Sequence, residues 1–219
     1  MENLQRLRQA LKSPDATDRR YAAEDLEELG DSAAAPALIE ALSDPVVAVR
    51  EAAADALGAI GGPEVSRLAV ELLYSEDVAL RNFAQEILVN IGTEATNSLI
   101  MALKSTSPDV RKFGLDVLGK IGEINRIEDI RPIIALIEDE NVNVAAAAVE
   151  ALGRIGDEGA VEAMLPHLSG HPWMQCNILY ALAQIGGEQA AQAVRSLQQG
   201  AIAPEARPYH AMATKRLGL

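Results

Sequence analysis

An acid returns at one position along this chain: Glu24, Asp55, Glu86, Asp116 and Glu150, with Tyr180 and Met212 taking the same place further on. Five residues before each of these lies a second recurrent position, held by Arg19, Arg50, Arg81, Arg111, Ala145, Gln175 and Arg207. The two rows imply different chemistry. A line of carboxylates attracts a basic segment and sets the rate and orientation of its approach. A guanidinium presents five donors in a fixed fork that matches a carboxylate, so it bridges. Arg50, Arg81 and Arg111 follow the turn aspartates Asp44, Asp77 and Asp109. We read these six residues as a structural ladder between neighbouring segments and the acids as a candidate partner-binding ridge.

The ridge ends in a different group of side chains: His171, Pro172, Trp173, Cys176, Asn177 and Tyr180. Trp173 and Tyr180 supply much contact area per side chain and are read as anchors for a partner; the plainer reading is packing of an atypical segment. Four residues beyond the acids, Lys120 and Arg154 pair with Asp116 and Glu150 in the favourable i,i+4 order. Glu24, Glu28, Asp55 and Glu86 are left unpaired by that rule. The acid ridge is therefore expected to keep its charge in the first half only.

Metal and covalent chemistry find little support. His167, His171 and Cys176 are near in sequence, but Gly170 and Pro172 break the helix between them, and a zinc site needs a fourth, convergent ligand. No metal site is assigned. There is no nucleophile elbow, P-loop or dinucleotide-binding glycine pattern, and no catalytic residue is assigned. Cys176 is the single cysteine. A dyad with His171 is conceivable, but a lone thiol at such a place is read as a small packed side chain.

The elements that position these residues follow from a repeated stop. Gly30, Gly61, Gly92, Gly122, Gly156, Gly186 and Gly218 lie 31, 31, 30, 34, 30 and 32 residues apart, each after Leu or Ile. Leu26, Leu57, Leu88, Leu118, Leu152, Leu182 and Thr214 stand three residues before those aliphatics. Apolar positions at helical spacing closed by glycine predict an amphipathic helix with a C′ cap. We call it helix B of each repeat. Shorter A helices are expected at about 2–12, 33–42, 64–74, 95–104, 128–138, 159–169 and 188–200, with Ser, Asp, Asn and Pro in the A–B turns to start the B helices. The result is seven helix pairs in one domain, bounded approximately at 1–30, 31–61, 62–92, 93–122, 123–156, 157–186 and 187–219. The 34-residue period places a longer loop near Glu123-Ile124-Asn125-Arg126. The first A helix is polar on one side and the last repeat is degenerate, as expected of caps.

The pattern V-R-x-x-A-x-x-A-L-G-x-I-G, complete in Val49–Gly61, resembles the HEAT-like repeats of phycobilisome lyases and covers essentially the whole chain. The resemblance implies an all-α, right-handed α-α superhelical solenoid with the B helices on its concave side. It also implies two kinds of role: an adaptor or scaffold that binds another protein on the concave B-helix face, or, as the alternative, a subunit of a phycobilin lyase or related chromophore-handling complex holding a bilin tetrapyrrole. The aromatic-rich stretches associated with lyase subunits are missing, with two Phe and one Trp. Iron-binding hydroxylases of similar fold use repeated His-Glu pairs, which this chain lacks.

Composition narrows the partners. Of 219 residues, 49% are apolar but only 3% aromatic, and the formal net charge is −13. Residues 1–110 hold 9 Lys/Arg against 19 Asp/Glu, net −10; residues 111–219 hold 10 against 13, net −3. Such a surface repels phosphate backbones and anionic lipids, so nucleic acid and membrane are not expected partners. No run approaches the roughly 20 apolar residues of a membrane span, and no leader is visible at the amino terminus. One cysteine fits a reducing compartment, and the expected location is cytoplasmic. The primary expectation is therefore a non-catalytic scaffold, without cofactor, for a partner protein with a basic segment.

Overall fold

The computed structural model describes residues 2–197 and 201–219. Among them all regular structure is helical, with no strand. The chain divides into two compact units, Met1–Ala102 and Leu103–Leu219.

The first unit holds α1 (Glu2–Ala10), α2 (Ala16–Leu29), α3 (Ala35–Ala41), α4 (Val47–Ile60), α5 (Gly62–Leu72), α6 (Val78–Ile91) and α7 (Thr96–Ala102). Helices α2, α4 and α6 are the predicted B helices, each fourteen residues long, and they pack in succession. Short polar side chains cap the starts of α2 and α6, whereas α4 starts after Val46 with no side-chain cap. Asp15 accepts the Thr17 N–H and Asp77 the Ala79 N–H, each relieving one orphan donor of the first turn. Leu26, Leu57 and Leu88 are fully buried. Alanines beside them, Ala23 and Ala54 among them, let the helices approach closely.

The second unit holds α8 (Pro108–Ile124), α9 (Arg131–Ile134), α10 (Val142–Ile155), α11 (Val161–Met164), α12 (Pro172–Ile185), α13 (Gly187–Ser196) and α14 (Arg207–Arg216). Here α8, α10, α12 and α14 are the B helices and again pack in succession. The A helices are less regular than expected. α9 passes into a 3₁₀ turn at Ala135–Glu138, and α11 lies between 3₁₀ turns at Glu158–Ala160 and Leu165–His167. Pro166 explains the second break: it has no N–H to continue the α-helical ladder. The last expected A helix, 188–200, corresponds to α13; its positions 198–200 lie outside the described residues.

One expected stop is not a stop. Gly30, Gly61, Gly92, Gly156, Gly186 and Gly218 have positive φ at their helix ends, whereas Gly122 does not. Helix α8 runs through Gly122 to Ile124, so Glu123 and Ile124, expected in a loop, are helical. Gly122 is needed for a different reason. A Cβ there would overlap the Ile155 side chain of α10. Close approach of two helices, rather than left-handed backbone, excludes a side chain at this position.

Candidate interaction surface

In the first unit, Glu24, Asp55 and Glu86 are each the ninth residue of a B helix, α2, α4 and α6. Equal distance from equal starts places them alike on successive packed helices. Asp55 and Glu86 are exposed and Glu24 is half-buried. Glu24 is not unpaired as expected: its carboxylate meets Arg20, one turn earlier, at 3.3 Å. Both side chains are partly exposed, at 38% and 44%, so the pair neutralises charge locally and contributes little stability. Asp55 and Glu86 have no ion pair among the described residues. The end of α2 adds Glu27 and Glu28 with no basic residue in the last turn. Acids there face the negative end of the helix dipole, so this charge sits against local stability.

In the second unit the ninth residues of α8, α10 and α12 are Asp116, Glu150 and Tyr180. Asp116 pairs with Lys112 at 2.7 Å; the expected partner, Lys120, lies one turn on the other side. Glu150 pairs with Arg154 at 2.6 Å. Tyr180 is 40% exposed. On α12 the residues Trp173, Cys176, Asn177 and Tyr180 follow helical spacing and lie along one stripe. Trp173 is half-buried, its ring tilted against His171 at 5.9 Å between centroids. Cys176 is half-buried too. Burial, and then the Glu205 charge, push its thiol above the ordinary value, which favours the neutral form.

The arginine row does something more specific than expected. Arg111 donates from Nε and Nη2 to both oxygens of Asp139, at 2.8 and 2.7 Å, and from Nη1 to the carbonyls of Ser105 and Thr106 in its own A–B turn. Arg19 repeats this: two bonds to Asp44, at 2.6 and 2.9 Å, and Nη1 to the carbonyls of Ser13 and Pro14. Each arginine thus ties its own turn to the turn of the next helix pair. The Arg19 hydrogen bonds hold the Asp44 carboxyl below the usual carboxylate range. For Asp139, burial alone would raise the value, but the Arg111 bonds and the Asn141 N–H together lower it.

Of the six residues expected to form a ladder between neighbouring segments, Asp44 and Arg111 take part in such ties, with partners outside the six, Arg19 and Asp139. Arg50 reaches the carbonyl oxygens of Asp44 and Pro45, while the Asp44 carboxylate belongs to Arg19. Arg81 donates to the carbonyls of Ser75 and Glu76, and Asp77 caps α6. Asp109 is exposed in the first turn of α8, and the carboxylate that meets Arg111 is Asp139. Gln175, at the arginine position of α12, makes a neutral version of the tie. Its Nε2 donates to the carbonyls of Leu168 and Ala201, and its Oε1 accepts the Ala203 N–H. The part played by Arg19, Asp139 and Gln175 was not foreseen, and it had one legible signal: Asp44 and Asp139 both lie six residues before the arginine-row position of their own repeat.

Among the described residues, no three His, Cys, Asp or Glu side chains are grouped as a metal ion requires. No helix there is long and apolar enough to cross a membrane. Residues 4–88 and 130–207 match the family of HEAT repeats. No curated protein matches the sequence. Similar solved structures include human deoxyhypusine hydroxylase in complex with glycerol, at 19% identity and TM-score 0.48, over 98% of this chain and 84% of that one. The complex of CpcE and CpcF of phycocyanin lyase from Nostoc sp. PCC7120 is similar at 24% identity and TM-score 0.41, over 98% and 94%. A designed armadillo repeat protein is similar at 18% identity and TM-score 0.39, over 98% and 99%.

Proposed function

Because this chain belongs to the HEAT-repeat family, we propose that it is a non-catalytic scaffold that binds a partner protein on the exposed face of its B helices. The observation that carries this reading is the recurrence of a solvent-facing group at the ninth residue of successive B helices: Glu24, Asp55 and Glu86 in the first unit, Asp116, Glu150 and Tyr180 in the second. Core packing does not require acids there, since the buried leucines, Leu26, Leu57 and Leu88 among them, lie two residues on and take a different face of the helix.

The partner segment is basic. The first unit carries most of the net charge, and its acids accelerate encounter and orient the incoming chain, an effect screened over roughly 10 Å at 0.1 M salt. Trp173 and Tyr180 then supply apolar contact on the second unit. The same charge disfavours nucleic acid and anionic membrane, and the single cysteine agrees with a cytoplasmic setting.

The test is binding of a labelled Lys/Arg-rich peptide by fluorescence anisotropy. Wild type is expected to bind at low salt and to weaken steeply as salt rises. Reversal of Glu24, Asp55 and Glu86 to Lys is expected to abolish binding with the helical content kept. Equal binding by both proteins at low salt would remove the acid face from the proposal. The alternative, a bilin-handling subunit, rests on the repeat pattern alone and is read separately, from the visible spectrum after co-expression with a bilin source.

A further inference from the structure

We propose that the second unit opens along the seam between α10 and α12, with α12, α13 and α14 departing as one block. That unit has three seams between successive B helices. At the first, Arg111 and Asp139 tie α8 to the turn before α10 through two short hydrogen bonds. At the third, Gln175 ties α12 to the backbone of Ala201 and Ala203 just before α14. At the second, the corresponding positions are Ala145 and Ser169, so the clamp has neither a donor side chain nor a carboxylate to receive it. The unit is fastened before this seam and after it.

Two further features weaken the same place. The Oε1 atom of Gln184 is buried without a hydrogen-bond partner. It lies at the seam, since a Cβ on Gly153 of α10 would come within 2.7 Å of it. Opening lets water reach this acceptor, which favours the open state. The A helices on both sides of the seam, α9 and α11, are each only four residues long and adjoin 3₁₀ turns. Among the described residues the one polar bridge across the seam is His167 to Glu138, at 3.8 Å, with the glutamate side chain 80% exposed. A pair of that kind contributes little. The helices meet closely there through small residues, Gly153 against Ala181.

In an array where each repeat touches only its neighbours, stability is a sum of repeat and seam terms, and the weakest seam sets where it divides. The opening stands independently of the proposed function. If that function also holds, a partner touching Glu150 on α10 and Tyr180 on α12 bridges the seam and favours its closed form.

Hydrogen exchange of the full, unliganded chain tests this. Amides of α12, α13 and α14 are expected to exchange as one group, roughly tenfold or more faster than those of α8 and α10, as a lost buried hydrogen bond implies. The double variant Ala145→Arg/Ser169→Asp, which supplies the missing clamp, is expected to slow that group by about tenfold. Gln184→Leu, which removes the orphan acceptor without adding charge, is expected to slow it in the same direction and serves if the first variant misfolds. Equal exchange of α10 and α12, a smooth gradient rising from α8 to α14, or no slowing in any variant that folds would overturn the proposal.

Discussion

Arg111 and Asp139 face each other through two nearly parallel hydrogen bonds, 2.8 and 2.7 Å long, from positions 28 residues apart. Their side chains are only 9% and 6% exposed. Two further guanidinium donors, both on Nη1, are used on two carbonyl oxygens of the turn before α8. Such a pair has little water to fall back on.

Removing one member therefore leaves a buried charge. Arg111→Ala is expected to cost about 3–5 kcal/mol, read as a lower urea midpoint with an unchanged slope. Replacing both residues with apolar ones of similar volume is expected to cost much less, because no charge is then stranded. A single variant as stable as wild type would show that the clamp adds nothing.

Acid should loosen both clamps. Asp44 and Asp139 have folded-state values below the ordinary carboxylate value. The unfolded chain then binds protons first as pH falls. Their stabilisation is complete above the ordinary value, near pH 4, and is lost as pH drops through the depressed folded values. Thermal melts from pH 6 to 2.5 are expected to show this fall, and Asp139→Asn should flatten part of it after starting from a lower stability.

The converse experiment is offered by Ser75. Its Oγ accepts the Asp77 N–H, as the Asp44 carboxylate accepts the Val46 N–H and the Asp139 carboxylate the Asn141 N–H. Arg50 already holds its own turn as Arg19 does. Ser75→Asp keeps the local bond and supplies the missing carboxylate. A gain of about 1 kcal/mol is expected, or roughly 2–4 °C in melting temperature; a loss would mean that Arg50 cannot reach position 75.

Gly153→Ala tests close approach. An added Cβ would lie 2.9 Å from the Ala181 Cα and 2.7 Å from Gln184 Oε1. Overpacking of that degree costs about 1–3 kcal/mol, against roughly 1 kcal/mol gained in helix propensity. The expected net effect is a lower melting temperature.

Much of the architecture was legible because it is local. Helical spacing of Leu26, Leu57, Leu88, Leu118, Leu152 and Leu182 and the caps Asp15, Asp77 and Asn141 act within one turn of chain. The row of Glu24, Asp55, Glu86, Asp116 and Glu150 follows from the same period. Choice of ion-pair partner on one helix was less legible. Asp116 has a lysine four residues away on each side and Glu24 an arginine four before it, and i,i+4 spacing alone does not choose between them.

What only the tertiary structure decided depends on distances between helices. Which carboxylate meets Arg111 is set by where the next A–B turn is placed by the packing of α8 on α10, so Asp139, and not the nearby Asp109, receives it. Gly122 looks in sequence like the other terminal glycines, yet it lies inside α8, and what requires glycine there is Ile155 of α10, which leaves no room for a side chain. Sequence period determines which face of a helix a residue occupies. The neighbouring helix determines what that face touches, because a contact between residues about thirty apart exists only once two helices have packed.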